Sequence, residues 1–305
     1  MRLVFAGTPA VAVPSLRALA GGPHEIAAVV TRSDAPLGRK RVLTPSPVAQ
    51  TADELGLPVI KTDRLDAEAT ARIGALEPDL GVIVAYGGLV REPLLSAPLH
   101  GWINLHFSLL PRWRGAAPVQ RALIAGDRET GASVFQLVAE LDAGDVFAEE
   151  RYPVPENATA GEVLDALADL GAPLLARVVD GIAEGSAVAT PQHGEPTLAP
   201  KLTLADGSLD FARDAESLRA RIAGVTPEPG AHTTIDGARL KVLRASASSA
   251  PPIAPGHVMA SGREILVGTA TAPLRLETVQ PAGKGAMAAG DWFRGLRTSE
   301  PVLGS

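Results

Sequence analysis

The sequence predicts an α/β domain followed by a smaller β-rich domain. In the first half, short apolar runs alternate with amphipathic stretches, which is typical of βαβ units and a mostly parallel sheet. After a proline-rich stretch, short apolar alternations broken by Gly and Pro favour a small antiparallel β barrel of about 100 residues. With 305 residues, 46% of them hydrophobic and 20% charged, the chain is long enough for two domains with sizeable cores.

Four strands and one helix are predicted in the first half. The run at residues 3–6 ends at Gly7, and a helix follows through Leu16 and Leu19. Further strands are predicted at 26–30, 80–84 and 102–105. Because these runs are apolar throughout, they suit central strands that are covered on both faces.

A helix, a linker and a β-rich region complete the predicted order. Apolar residues recur every three or four positions over 159–184, which predicts a helix that stops at Gly185. Prolines among small and polar residues predict a linker over 186–205. We therefore expect domains at 1–185 and 206–305, the latter with strands at 238–243, 264–267 and 274–279.

Composition excludes several classes of protein. The absence of cysteine excludes disulfide frameworks, thiolate catalysis and zinc sites built on sulfur. The short apolar start does not resemble a signal peptide, and the longest uncharged stretch, 93–111, carries three prolines, two histidines and an asparagine. We expect a cytoplasmic protein without a membrane span.

The net charge of −6 is unevenly distributed. Residues 1–205 hold 17 Lys and Arg against 24 Asp and Glu, a balance of −7, whereas 206–305 hold 11 against 10, a balance of +1. The near-neutral second part is compatible with a basic face but does not demonstrate one.

Common cofactor and nucleophile motifs are absent. Gly7 follows the first strand without the G-x-G-x-x-G pattern of dinucleotide sites, and the chain has neither a phosphate-binding G-x-x-x-x-G-K-[ST] loop nor a G-x-S-x-G nucleophile turn. The six histidines show no H-E-x-x-H pattern, so no metal is expected.

The most informative stretch is NLHFSLLPRWRG at 104–115. On a strand, Asn104 and His106 share one face because side chains alternate. An amide can hydrogen-bond the oxyanion of acyl transfer to an amine, and an imidazole can move a proton near neutral pH. The same spacing fits a strand end at which both side chains merely cap the next turn.

Two carboxylates lie in the second informative stretch, LDAGD at 141–145. Carboxylates around a small-Gly turn are typical of a solvated turn. A functional interpretation makes one of them the group that orients a histidine and raises its basicity.

Longer segments carry a family resemblance. NLHFSLLPRWRGAAPVQRALIAGD and ETGASVFQLVAELDAGDV resemble the 10-formyltetrahydrofolate-dependent formyltransferases. FAGTPAVAVPSLRAL, DAPLGRKRVLTPSPVAQ, AYGGLV, KLTLADGSLDF and VQPAGKGAMAAGDWFRG resemble the branch of that family that formylates initiator methionyl-tRNA. The resemblance covers nearly the whole chain.

The resemblance implies a fold and a site. It implies a Rossmann-like formyltransferase domain, a linker and an oligonucleotide-binding-like (OB-like) barrel. We also expect a monomer without metal. The implied catalytic residues are Asn104 for the oxyanion, His106 for proton transfer and Asp142 for support of the histidine. The implied folate-binding residues are Ser108, Leu109, Leu110, Pro111, Tyr86 and Gly87. Gly88 stands where the family more often has glutamine, and Phe107 replaces a usually smaller residue.

A cluster of three basic residues follows the second predicted strand. Arg39, Lys40 and Arg41 lie between glycine and proline positions, where a charge cluster is ordinarily a solvated loop. The resemblance instead implies that this loop contacts the acceptor end of the tRNA, with phosphate contacts from the basic side chains.

Other acceptors fit the same catalytic residues. Sugar-amine formyltransferases share the chemistry and a second domain, but the basic loop and the TPSPV that follows it favour tRNA. Glycinamide ribonucleotide formyltransferases normally lack the extra hundred residues, and a formyl-folate hydrolase would use water as acceptor. A catalytically silent RNA-binding protein on this fold is the alternative from another class.

Overall fold

The computed structural model describes residues 1–38, 40–298 and 300–305, and the chain divides into two compact units. The first unit comprises Met1–Pro118, Thr130–Tyr152 and Leu164–Ala199. The second comprises Val119–Glu129, Pro153–Val163 and Pro200–Ser305. The first part of the predicted linker, residues 186–199, therefore lies in the first unit.

The strands of residues 1–153 form a mostly parallel sheet and a separate hairpin. Their bounds are β1 (Arg2–Gly7), β2 (Glu25–Thr31), β3 (Ala35–Leu37), β4 (Val42–Thr44), β5 (Val59–Lys61), β6 (Leu80–Val84), β7 (Trp102–His106), β8 (Glu129–Gln136) and β9 (Val146–Pro153). The sheet order is β5-β2-β1-β6-β7-β8-β9. Pairing is parallel from β5 to β7, and β8 runs antiparallel to β7. The hairpin consists of β3 and β4.

The helices of this part follow the strands as βαβ units require. They are α1 (Val13–Ala20), α2 (Pro47–Glu54), α3 (Ala67–Gly74), α4 (Pro118–Ile124) and α5 (Ala160–Glu184). Local sequence determines where α2 and α3 begin, because the side chains of Ser46 and Asp66 accept hydrogen bonds from backbone N–H groups three residues later. Pro47, at the first position of α2, needs no hydrogen-bond partner for its nitrogen.

The four strands predicted in the first half are confirmed, as are the two helices. The strands predicted at 3–6, 26–30, 80–84 and 102–105 each extend by at most one residue at either end, and the long predicted helix is α5. All residues of β6 are buried, as expected for a central strand. The sequence analysis missed β5, β8, β9 and the β3–β4 hairpin.

Strand order places the carboxyl ends of β6 and β7 side by side. β1 pairs with β2 on one side and with β6 on the other, so successive connections leave in opposite directions from the centre of the sheet. In open α/β sheets, ligands bind at the carboxyl ends of strands at this kind of switch point. The predicted site residues that follow β6 and end β7 lie at that edge.

The second unit contains an antiparallel sheet. Besides most of α4 and the start of α5, its elements are α6 (Ala215–Gly224), β10 (His232–Ile235), β11 (Ala238–Ala247), β12 (Val258–Ser261), β13 (Glu264–Val267), β14 (Leu274–Pro281), β15 (Met287–Ala288) and α7 (Ala289–Arg294). The order is β10-β11-β14-β13-β12, and β15 pairs with β14. Residues of β11 and β14 contribute to a core that includes Val242, Leu276 and Trp292. The predicted strands are confirmed, and the sheet is consistent with a small barrel.

Across residues 1–38, 40–298 and 300–305, none of the helices combines the length and the apolar character needed to cross a lipid bilayer.

Candidate active site

Asn104 and His106 lie on one face of β7, at its carboxyl end. They are separated by Leu105, which points to the opposite face, as the alternation of strand side chains requires. Asn104 is half-buried, whereas only 6% of His106 is exposed. An amide and an imidazole are thus presented together on the same side of the sheet.

The two ring nitrogens of His106 have different partners. Nε2 lies 2.9 Å from the carbonyl oxygen of Trp113. Because a carbonyl only accepts hydrogen bonds, Nε2 carries the proton of the neutral ring, and Nδ1 is the nitrogen with a free lone pair. Nδ1 lies 3.8 Å from Oδ2 of Asp142, which is too long for a direct hydrogen bond but close enough for electrostatic attraction once the ring is protonated.

Burial and the nearby charge shift the pKa of His106 in opposite directions. Burial lowers the pKa of His106 below its ordinary value, while the Asp142 carboxylate and the Trp113 carbonyl partly offset this by favouring the charged form. The ring of Phe135 stands perpendicular to the imidazole at 6.3 Å and contributes to the apolar surroundings. A neutral imidazole at pH 7 can accept a proton at Nδ1.

Asp142 is held in place through its carboxylate and its backbone. Oδ2 accepts a hydrogen bond from the backbone N–H of Gly115 at 2.7 Å, and the residue is 9% exposed. Its φ of 45° lies in the left-handed region, which costs free energy for a non-glycine residue but is tolerated by aspartate better than by most others. Asp145, the other carboxylate of this turn, is exposed. The structure therefore distinguishes two carboxylates that the turn pattern alone left equivalent, of which the family resemblance implied Asp142.

Glycines allow the two site loops to approach the neighbouring chain. A Cβ on Gly144 would come within 1.8 Å of the Gln136 carbonyl oxygen, and one on Gly115 within 2.9 Å of the Ala199 carbonyl oxygen. Gly115 also has a φ of 120°, which is accessible only to glycine. These close contacts explain why RWRG and DAG end their loops on glycine.

The predicted folate segment 108–111 forms a buried turn directly after β7. The hydroxyl of Ser108 donates to the carbonyl of Arg112 at 2.6 Å, so this side chain closes the turn. The carbonyl of Ser108 accepts from Ser133 Oγ at 2.7 Å on the neighbouring strand β8. Leu110 and Pro111 are buried, and Leu109 is half-buried.

The other predicted folate residues follow β6. Tyr86 is buried and its hydroxyl donates to the Thr62 carbonyl at 3.1 Å, and burial raises the pKa of this phenol. Gly87 is exposed, with a φ of 76°, and its carbonyl accepts from Nη2 of Arg32 at 2.6 Å. A Cβ on Gly88 would lie 2.5 Å from the Tyr86 ring, so the departure from the family's glutamine accompanies this packing of the tyrosine. Phe107 is buried.

Lys40 and Arg41 lie in the turn of the β3–β4 hairpin, and both are exposed. Arg39, the third residue predicted to contact tRNA, lies outside the described residues. Beside the basic turn, Leu37, Val42 and Leu43 are each more than half exposed. The hairpin thus presents positive charge together with apolar side chains.

In the part of the chain that the structure describes, no cluster of three or more His, Asp or Glu side chains is arranged to hold a metal ion. The polar groups gathered at the carboxyl end of β7 instead suit a carbonyl substrate and an amine, through one amide, one imidazole and one carboxylate.

The sequence analysis missed the partners that hold these groups. The amide nitrogen of Gln192 donates to the carbonyls of Asp142 and Gly144, at 2.8 Å each. The Trp113 carbonyl and the Gly115 N–H are backbone groups that no side-chain motif reveals. Gln192 lies in the predicted linker, where nothing in the local pattern indicated a role.

Comparisons with known proteins place these features in a family context. A sequence model described as "Formyl transferase" matches residues 1–179, and one described as "Formyl transferase, C-terminal domain" matches 201–297. The chain is 63% identical over 303 residues to the methionyl-tRNA formyltransferase of Clavibacter sepedonicus, covering 99% of each chain. It is 65% identical over 295 residues to that of Leifsonia xyli subsp. xyli, covering 97% of each.

Among solved structures, the fold is similar to that of WlaRD, a sugar 3N-formyl transferase crystallised in the presence of dTDP and 5-N-formyl-THF. The TM-score is 0.70 at 13% identity, covering 93% of this chain and 99% of that chain. At this identity the similarity concerns the fold alone.

Proposed function

Since the chain belongs to the methionyl-tRNA formyltransferase family, we propose that Asn104, His106 and Asp142 carry formyl transfer from 10-formyltetrahydrofolate to the free amine of methionyl-tRNA. The product would be formyl-methionyl-tRNA, for translation initiation. The observation that carries this proposal is the buried His106, whose Nε2 is tied to a carbonyl while Nδ1 faces Asp142.

Each side chain has one task in the proposed reaction. The amide of Asn104 donates a hydrogen bond to the formyl oxygen as it becomes negative during attack by the amine. Nδ1 of His106 accepts the proton that the attacking amine loses and delivers it to the departing nitrogen of the donor when the old C–N bond breaks. The carboxylate of Asp142 stabilises the imidazolium between these two transfers. No covalent bond to the protein is needed.

We propose that the formyl donor binds at the edge formed by the ends of β6 and β7, where open α/β sheets bind their ligands. 10-Formyltetrahydrofolate supplies the formyl carbon when bound. We propose that exposed Gly87 and neighbouring Tyr86 form one wall of its site. The turn of Ser108, Leu109, Leu110 and Pro111 would form the other, with the Ser108 hydroxyl maintaining the shape of that turn.

Domain roles follow the family matches at 1–179 and 201–297. We propose that residues 1–185 carry the chemistry and that 206–305 contact tRNA. Residues 186–205 would connect these two parts, with 186–199 belonging to the first compact unit. The hairpin residues Arg39, Lys40 and Arg41 would contact phosphates near the acceptor end. A cytoplasmic monomer stays a prediction, and sedimentation of the purified protein would test its oligomeric state.

An acceptor competition tests the function. Purified protein with 10-formyltetrahydrofolate is offered methionyl-tRNA, uncharged tRNA, an amino-sugar nucleotide or water, and tetrahydrofolate release and acceptor formylation are followed. We expect formyl-methionyl-tRNA as the dominant product and its loss in His106→Ala. Turnover of the amino sugar but not of charged tRNA would overturn the acceptor. Full activity in His106→Ala would overturn the site.

A further inference from the structure

We propose that Gln192 is a positioning residue for formyl transfer, acting through Asp142, and that Arg114 orients its side-chain amide. This inference rests on the proposed function, because it concerns the placement of a carboxylate whose catalytic role is itself proposed. Gln192 lies 50 positions after Asp142 and belongs to the same compact unit.

All hydrogen-bonding groups of the Gln192 amide are used. Nε2 donates to the carbonyls of Asp142 and Gly144, at 2.8 Å each. Oε1 accepts from Nη2 and Nε of Arg114, at 2.7 and 3.2 Å. Because carbonyls only accept and a guanidinium only donates, these partners allow a single orientation of the amide.

Arg114 holds the Gln192 amide in this orientation. Its side chain is only 13% exposed, whereas that of Glu140, its partner at 3.4 Å, is 77% exposed. A largely buried guanidinium is costly unless its N–H groups find acceptors, and Gln192 supplies the shorter contacts. The need to satisfy Arg114 therefore keeps the Gln192 amide turned with its nitrogen toward the Asp142 turn.

Neighbouring groups hold the turn that carries Asp142. Its φ of 45° is left-handed, a conformation that aspartate adopts more readily than most residues but that still costs free energy. The Gly115 N–H binds the carboxylate, and Gln192 binds the backbone on both sides of Ala143. A change in this turn would move Oδ2 from its place 3.8 Å from Nδ1 of His106.

Residues 190–199, the segment that carries Gln192, lie along both loops of the site. Thr190 exchanges backbone hydrogen bonds with Val146, just after the Asp142 turn. Thr197 and Ala199 bond the backbone of Arg114, and Thr197 Oγ1 accepts from the N–H of Trp113, whose carbonyl binds His106. Gln192 thus comes from the segment that fixes the positions of both partners of His106.

The first test replaces the Gln192 side chain in the full-length protein. We expect Gln192→Ala to lower kcat for formylation of methionyl-tRNA by about 10- to 100-fold, as expected for loss of alignment. KM for methionyl-tRNA and for 10-formyltetrahydrofolate should change by less than about twofold, since neither is bound by Gln192. A kcat within about twofold of wild type would overturn the proposal.

Gln136→Ala is the matched control. The Gln136 amide also donates to two carbonyls, those of His100 and Trp102, but at the opposite end of β7. Only the backbone of Gln136 meets the Asp142 turn, through its N–H to the Asp145 carbonyl and its carbonyl against Gly144, and alanine keeps both groups. We expect a wild-type kcat from this variant. A loss equal to that of Gln192→Ala would mean that any such amide supports the fold and would overturn a specific role for Gln192.

The variant Gln192→Glu tests whether the hydrogen bonds that Gln192 donates matter, or only the packing of its side chain. Glutamate keeps an acceptor for Arg114 and nearly the same shape, but it loses both donors to the Asp142 turn. We expect the kcat of Gln192→Glu to match that of Gln192→Ala, and a wild-type kcat would overturn the proposal. This variant also serves if Gln192→Ala does not fold.

A double-mutant cycle with Asp142→Asn identifies the residue through which Gln192 acts. If Gln192 acts only through the carboxylate, adding Gln192→Ala to Asp142→Asn should lower kcat by less than about threefold more. If Gln192→Ala lowers kcat by the same factor in the wild type and in Asp142→Asn, the proposal is overturned. A low kcat in Asp142→Asn together with a wild-type kcat in Gln192→Ala would overturn only the positioning role of Gln192. A wild-type kcat in Asp142→Asn would overturn the proposed role of Asp142, and the positioning role with it.

Discussion

At His106, the fold determines which nitrogen is basic and how basic it is. The Trp113 carbonyl binds Nε2, which leaves the lone pair on Nδ1. Burial then keeps the ring neutral at pH 7, and Asp142 limits how far the pKa falls. A buried histidine without a nearby carboxylate would be a weaker base, so the pair provides both a neutral resting ring and a stabilised imidazolium.

These opposing effects predict how His106 titrates. The pKa of the His106 imidazole should lie below the ordinary histidine value of 6.5, because burial lowers it. In Asp142→Asn the raising influence of the carboxylate is lost, so this pKa should fall further while kcat falls. The imidazole signals of the substrate-free protein, followed by NMR across about pH 4.5–8, measure the two pKa values without the amine of methionyl-tRNA, which titrates in an overlapping range. A pKa above 6.5, or a rise of the pKa in Asp142→Asn, would contradict the interpretation.

Asn104 allows a second test at this scale. We expect Asn104→Ala to lower kcat by about 10²–10³, the usual cost of losing one oxyanion donor. Asn104→Asp keeps the size of the side chain but not the amide N–H, so it should be similarly slow. Steady-state kinetics with circular dichroism as a folding check provides the measurement. A kcat for Asn104→Asp near that of wild type would show that shape rather than donation matters.

At the scale of elements, β6 and β7 must pack closely for the site to form. Gly81 of β6 lies against the indole of Trp102 on β7, and a Cβ at this position would come within 2.1 Å of the ring. The indole Nε1 is meanwhile fixed by a 2.8 Å hydrogen bond to the Leu94 carbonyl, so the ring is not free to move aside. Glycine is therefore required at the contact between the two strands that carry the site.

The corresponding prediction concerns stability. Gly81→Ala should lower the free energy of unfolding by about 1–3 kcal/mol through overpacking. Gly74→Ala is the control: Gly74 is the last residue of α3, with open space around its Cα, and alanine there should stabilise by about 0.5–1 kcal/mol. Urea unfolding of both variants measures the effect. An unchanged midpoint for Gly81→Ala would contradict the packing argument.

Elements were predictable in proportion to the strength of their local pattern. The run 80–84 is apolar throughout, and it became the fully buried β6. The helix α5 was predictable because its apolar period continues over 25 residues. In contrast, β5 is three residues long, and β9 alternates weakly between half-buried and exposed residues. Their pairing with neighbouring strands, rather than their own composition, makes them strands.

At the scale of the whole molecule, the net charge alone does not describe how the surface would meet tRNA, because the local charge differs from it. The net charge is −6, which would repel a polyanion such as tRNA. The exposed Lys40 and Arg41 form a positively charged site on this negatively charged protein, beside exposed apolar residues of the hairpin. Binding of tRNA should therefore depend on a few phosphate contacts rather than on the field of the whole protein.

The salt dependence of tRNA binding tests this view. In Lys40→Ala/Arg41→Ala, affinity should fall and the slope of log K against log salt should become shallower by about 1–2, since two phosphate contacts are lost. Arg17→Ala/Arg72→Ala removes equal charge from α1 and α3 and should keep the wild-type slope. Filter binding between 50 and 200 mM salt provides the slopes. Equal slopes for all three proteins would remove the hairpin from the interface.

The sequence by itself determined the fold class, the family and the residue types of the site. These depend on local properties, namely hydrophobic periodicity and a continuous motif such as NLHFSLLPRWRG. The resemblance in the sequence also implied Asn104, His106 and Asp142. Only the tertiary structure decided that the Asp142 carboxylate lies 3.8 Å from Nδ1 of His106, that Nδ1 carries the lone pair, and that Gln192 binds the Asp142 turn. These outcomes depend on backbone carbonyls and on chain segments brought together across some fifty residues by folding, and neither leaves a pattern in local sequence.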